Sequence, residues 1–147
     1  FAALARMLPV LPLAGADTKL QPVYAADVSE TIGRAVDGSV PGGRIYELGG
    51  PEVNTLRELV EFTLATIERR RLVLALPWAA ARAQAAALEI ADMLTLGLMP
   101  DMFRLTRDQV ALLQRDNVVS AEAQPEGRTL EGLGIAPTAY QAIAPSY

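Results

Sequence analysis

The apolar positions along this chain change their period several times. In "LQPVYAADVSETIGRAVDG" an extended stretch, Leu20 to Tyr24, runs into Val28, Ile32, Ala35 and Val36, which share one face at helical spacing. Asp27 stands where an N-cap belongs, and Glu30 follows three residues on, as in a capping box. Gly38 ends this helix and Pro41-Gly42-Gly43 turns the chain. Arg44 to Leu48 reads as a second strand, stopped by Gly49-Gly50-Pro51. Thr55 and Glu58 open another helix, whose inner stripe is Leu56, Leu59, Val60, Thr63, Leu64 and Ile67.

Leu72 to Leu76 is a third strand, and Pro77 suits the first turn of an Ala-rich helix from Trp78 to about Leu96. Thr106 with Gln109 caps a further helix, and Gly134 and Pro137 divide the tail into two short helical pieces. Ahead of these elements, Ala2 to Leu8 reads as a helix end stopped by Pro9 and Pro12. The pattern predicts one α/β lobe over residues 1–147, with three short strands in the first half and five to seven helices.

Composition narrows the chemistry. Hydrophobic residues make up 51% and charged residues 20%, which fits a packed chain rather than a disordered one. The net charge of -4 offers no basic footprint for nucleic acid. With no Cys and no His, thiol nucleophiles, thiolate metal sites and the commonest general base are excluded. No apolar run reaches the ~20 residues of a membrane span. The opening "FAALARMLPVLPLAGA" lacks an initiating Met and a basic n-region, so a chain beginning part-way through something longer is expected rather than a signal peptide. Arg69 to Arg71 sit where a helix C-terminus favours cations, with an anion site as the alternative.

Three stretches carry a resemblance: Val23-Tyr24-Ala25-Ala26-Asp27, then Tyr46-Glu47-Leu48-Gly49-Gly50, then Thr55 with Glu58. Together they resemble the C-terminal half of extended short-chain dehydrogenases/reductases (SDRs). "LTRDQVALLQRDNVVS" (Leu105 to Ser120), "LGIAPTAYQAI" (Leu133 to Ile143) and "PSY" narrow the likeness. They resemble the atypical branch that includes the nucleotide-binding accessory subunit of respiratory complex I and its bacterial epimerase/dehydratase-like relatives.

The resemblance implies the substrate-side part of a Rossmann-like protein whose N-terminal Rossmann half is missing from this chain. It implies NADPH or NADH for a full-length parent, but none bound by this chain alone. The phosphate cradle of such folds is a glycine-rich turn at a helix N-terminus, and this sequence has none: Gly132 and Gly134 are followed by Pro137 where the third glycine belongs. The family's catalytic Tyr is followed four residues on by Lys. The single Lys here is Lys19, and Gly15 lies four before it, so catalytic residues are not expected. Sugar-nucleotide-using relatives place an Arg seven residues before the Asp, where this chain has Leu20.

Lys19, Gln21, Tyr24 and Asp27 lie where family members place substrate contacts and are the candidate cleft residues. Each has a plainer reading: a solvated cation for Lys19, a half-buried strand aromatic for Tyr24, a helix cap for Asp27. The implied partners are the Rossmann half and complex I subunits, with peripheral membrane association also open. The implied location is the cytoplasm or the inner-membrane surface in a bacterium, or the matrix side in a mitochondrion. Leu94 to Phe103, rich in Leu and Met, is the stretch expected to dock on a partner protein or touch a membrane surface, with a helical hairpin closing the lobe's own core as the alternative. A reductase or epimerase fragment and a stand-alone α/β interaction domain are the alternatives to a non-catalytic accessory lobe.

Overall fold

The computed structural model describes residues 9–94 and 107–144. Its elements run β1 (Val10–Ala14), β2 (Lys19–Leu20), α1 (Ala25–Val36), β3 (Asn54–Thr55), α2 (Leu56–Thr66), β4 (Leu72–Leu76), α3 (Trp78–Leu94), α4 (Arg107–Leu112), a 3-10 turn (Glu131–Leu133) and α5 (Tyr140–Ile143). They group into two compact units interleaved in sequence: Phe1–Thr18 with Thr55–Asp116, and Lys19–Asn54 with Asn117–Tyr147. The segment Ala2 to Leu8, the docking stretch beyond Leu94 and the Thr106 cap lie outside the described residues.

In the first unit β1 and β4 pair in parallel, Val10 opposite Leu72 through Ala14 opposite Leu76. This strand was not expected, because Pro9 and Pro12 read as helix stops. Proline is tolerated in a strand at an edge position, where its missing N–H breaks no ladder. Leu11 and Leu13, each 3% exposed, point into the core, as do Leu56, Val60 and Leu64 of α2. Gly15 turns the chain after β1 with φ +67°, and a Cβ there would come within 2.8 Å of Thr18 Oγ1.

α2 begins as its sequence predicts. Thr55 Oγ1 accepts from the Glu58 amide at 3.2 Å, and the Thr55 amide donates to Glu58 Oε2 at 2.6 Å. The next amides are also satisfied: Leu56 N–H donates to Thr18 O and Arg57 N–H to Ala16 O. The helix closes through Glu68, a non-glycine residue at φ +54°. α3 starts directly after Pro77 and packs on α4, with Ala14, Ala81 and Val110 forming a small buried cluster joined by Leu76.

In the second unit three expectations are corrected. The strand expected over Leu20 to Tyr24 is confined to Lys19–Leu20, with an isolated bridge to Asn117: Gln21 N–H donates to Asn117 O, and Asn117 N–H to Lys19 O. Arg44 to Leu48 is not a strand; within it Glu47 N–H makes a single bond, to Arg128 O, and no ladder forms. The cap of α1 is Tyr24, not Asp27, and no side chain caps it. Glu30 completes no capping box and pairs instead with Arg34, one turn on. The apolar stripe of α1 is turned outward, Ile32 being 58% and Val36 83% exposed, while Asp27 and Thr31 are buried. The unit's core is built from Val40, Ala123, Leu130 and Ile135.

Candidate functional site

Two residues of the cleft quartet are committed to holding the second unit together. Gln21 follows β2 on extended chain and uses both ends of its amide: Nε2 donates to Gly50 O at 2.8 Å and Oε1 accepts from Val119 N–H at 2.9 Å. The approach is close enough to require glycine opposite, since a Cβ on Gly50 would lie 1.9 Å from Pro22 O. Asp27 sits at the third position of α1, 7% exposed, and accepts from the Thr138 amide at 2.7 Å and the Thr138 hydroxyl at 3.0 Å. Tyr24 is half-buried at the N-cap, its carbonyl accepting from the Asp27 and Val28 amides. Lys19 is exposed on β2.

A fifth residue, Glu47, forms a polar centre of this unit. Its carboxylate accepts from the Ser120 amide at 2.7 Å and the Ser120 hydroxyl at 2.9 Å, with Arg128 Nη1 at 3.5 Å. The two bonds from Ser120, then the Arg128 charge, hold the Glu47 carboxyl below the usual glutamate value against a partial loss of hydration. Arg128 also donates to Glu126 and to Ile45 O, and its pKa is raised chiefly by the Glu126 bond. Arg34 Nη1 donates to Leu133 O at 2.7 Å.

Glu47 was missed as a polar centre because its surroundings read as a strand. The available signal was a carboxylate just ahead of Gly-Gly, a pair that allows close backbone approach.

The clamps explain why distant motifs occur together. "QPVY", "YELGG" and "NVVS" are physically one object: Asn117 and Val119 bind the chain around Gln21, and Ser120 binds Glu47. What this arrangement does chemically is hold the 117–143 tail on α1 and the 44–50 segment.

Three of the open hollows on the surface are formed by described residues. One of about 570 Å³ is lined by Glu61, Leu64, Ala65, Glu68 and Arg69 to Arg71. One of about 550 Å³ lies between α3 and α4, and one of about 630 Å³ beside Arg44 and Arg128. None of the three is lined by Lys19, Gln21, Tyr24 or Asp27. Among the described residues no group of three or more acidic side chains is placed to hold a metal ion, and no helix is long and apolar enough to cross a membrane.

No protein-family model matches the chain. The chain is 40% identical over 118 residues to the mitochondrial NADH dehydrogenase (ubiquinone) 1 alpha subcomplex subunit 9 of Arabidopsis thaliana. That alignment covers 77% of this chain and 29% of the plant protein, so the chain spans less than a third of that protein's length. It is thus similar to a subunit of complex I, as the stretches Leu105 to Ser120 and Leu133 to Ile143 imply.

Proposed function

We propose that this chain is the C-terminal, non-catalytic lobe of an SDR-like protein that serves as an accessory subunit of a complex I-type assembly. The observation that carries the reading is the 40% identity to the plant complex I subunit. The internal clamps support a structural role, because Gln21 and Asp27 are engaged within the chain rather than directed at a substrate. The same role places the parent protein on the matrix side of the inner mitochondrial membrane or its bacterial counterpart, with complex I subunits as partners. The Rossmann half of the parent would carry the nicotinamide nucleotide.

A nicotinamide cofactor does not fit the residues of this chain by itself. The fold's phosphate cradle needs a glycine-rich turn between a strand and a helix N-terminus. Here the helix that follows β2 starts at Tyr24-Ala25-Ala26, with no glycine in its first turn.

The test is native electrophoresis of solubilised membranes from cells expressing the tagged full-length protein. The tag is expected to co-migrate with the band that oxidises NADH, and deletion of the gene is expected to lower the amount of that band. Calorimetric titration of the chain alone with NADPH is expected to show no micromolar binding. A tag running apart from the NADH-oxidising band refutes the accessory role, and micromolar NADPH binding by this chain refutes the assignment of the nucleotide to the Rossmann half.

A further inference from the structure

The end of α1 runs against its own dipole. Arg34 in the last turn suits the negative end of a helix, but the cap itself is an acid, Asp37. Ser39 compensates: its amide donates to Asp37 Oδ1 at 2.9 Å, and its hydroxyl donates to the same oxygen. The hydroxyl bond first, then the amide bond, hold the Asp37 carboxyl below the usual aspartate value, with the Arg34 charge contributing less. Gly38 follows at φ +83° and closes the helix. Asp37 N–H donates to Gly33 O, and the Ser39 and Val40 amides both donate to Arg34 O. At Val40, 8% exposed, the chain re-enters the core of the second unit.

Asp37-Gly38 is the one place in the sequence where Asp or Asn precedes Gly. Glycine has no side chain to shield its backbone nitrogen, so that nitrogen can attack Asp37 Cγ. A C–N bond forms, a carboxyl C–O bond breaks, and the hydroxyl leaves with the amide proton as water. The product is a cyclic succinimide. Water then adds to one of the two ring carbonyls. Opening at Cγ restores aspartate, and opening at the α-carbonyl leaves isoaspartate, with the main chain running through Cβ and Cγ. Composition is unchanged at the end, and no oxidant or cofactor takes part.

The structure leaves this reaction open but slow. Asp37, Gly38 and Ser39 are exposed, and an added Cβ on Gly38 would meet no atom within 4 Å. Two features restrain it. Asp37 is in helical backbone, φ -79° and ψ -4°, whereas ring closure needs ψ turned far from that value. The carboxyl must also lose a hydroxyl, and the Ser39 bonds favour its ionised form. Both restraints reside at a helix end, the part of a helix that opens most readily. A helix-closing turn accounts for Gly38 by itself. It does not account for an acid at the negative end or for the serine that holds it.

We propose that Asp37-Gly38 is a self-modification site, where the chain isomerises to isoaspartate at a rate set by the Ser39 clamp, and that the change releases the end of α1. The extra main-chain methylene displaces the carboxylate from Ser39. It also lengthens the path from Arg34 O to the Ser39 and Val40 amides, so Val40 loses its anchor. This inference concerns the second unit alone and does not depend on the accessory-subunit reading.

The experiment is incubation of the purified chain at physiological temperature and neutral pH, followed by tryptic digestion and mass spectrometry of the Ala35 to Arg44 peptide. A second peptide of equal mass is expected to accumulate, with electron-transfer fragments that place the extra methylene at residue 37. Ser39→Ala is expected to raise the rate about fivefold, on the scale of one hydrogen bond, and Ser39→Thr, which keeps the hydroxyl, to match the parent. Asp37→Glu, which would have to close a larger ring, is expected to give no second peptide. In the isomerised fraction the Val40 amide is expected to exchange at least tenfold faster.

A native chain that forms no isoaspartate, while the urea-unfolded chain does, overturns the proposal, because the fold then locks the site. Equal rates in the parent and in a Ser39→Ala chain of unchanged circular dichroism also overturn it. So does unchanged Val40 protection in the isomerised fraction, since α1 would then keep its end.

Discussion

Replacing Gly50 with Ala probes the tightest contact in the second unit. The added methyl would sit 1.9 Å from Pro22 O, about an ångström inside the closest approach that Cβ atoms make, and 3.1 Å from Pro22 C. The obstacle is backbone, so no side chain can swing away. Relief requires the 20–24 segment and the Gly49-Gly50 turn to separate, and that separation pulls Gly50 O from Gln21 Nε2. Overpacking costs about 1–3 kcal/mol, and a lost hydrogen bond adds about 1 kcal/mol.

A loss of about 2–4 kcal/mol is a large share of the ~5–15 kcal/mol that stabilises a typical domain. Urea unfolding followed by circular dichroism is the assay, with an expected fall in midpoint of about 1–2 M. Two glycines with no atom within 4 Å of an added Cβ are the controls. Gly42→Ala is expected to be neutral. Gly33→Ala, inside α1, is expected to stabilise by about 0.5–1 kcal/mol. A midpoint for Gly50→Ala equal to that of Gly42→Ala would refute the argument from close approach.

Asp27→Ala leaves the Thr138 amide and hydroxyl without their acceptor and is expected to cost about 1–3 kcal/mol. Hydrogen exchange reports it directly: the Thr138 amide should exchange at least tenfold faster, and unchanged protection counts against the clamp. For Glu47 the folded pKa is depressed. Its contribution is therefore complete above the ordinary value of 4.5 and is lost as pH falls below that through the folded value. Thermal midpoints measured from neutral to acid pH should fall less steeply in Glu47→Gln than in the parent chain. Asp37 and Glu58, both also depressed, retain part of the slope. Identical slopes would remove Glu47 from the account.

What was legible in the sequence was local. The Thr55 and Glu58 box, the Leu56, Val60 and Leu64 stripe and the start of α3 after Pro77 each depend on residues within a turn or two of one another. What was not legible depends on distant partners. β1 exists because Leu72 to Leu76 returns beside it, and a proline pair hid its alternation. Asp27 looked like a cap because an acidic residue ahead of an apolar stripe normally is one. Thr138, far along the chain, gives it another task and buries the polar side of α1. The cleft quartet was chosen by position in a resemblance, which says nothing of what fills the space opposite, and Val119 and Gly50 fill it for Gln21.

The interleaving of the two units bears on how the chain is made. Asp27 meets Thr138 across a separation of 111 residues. A ribosome adds about 5–20 residues each second, so α1 emerges on the order of ten seconds before its anchor. During that interval Asp27 has only water to bind, and the side of α1 carrying Asp27 and Thr31, buried in the folded chain, is uncovered. β1 waits likewise for β4, with an open strand edge that can template pairing with other chains. Chaperone occupancy on translating ribosomes should therefore rise once α1 has emerged and fall only after the tail has been released.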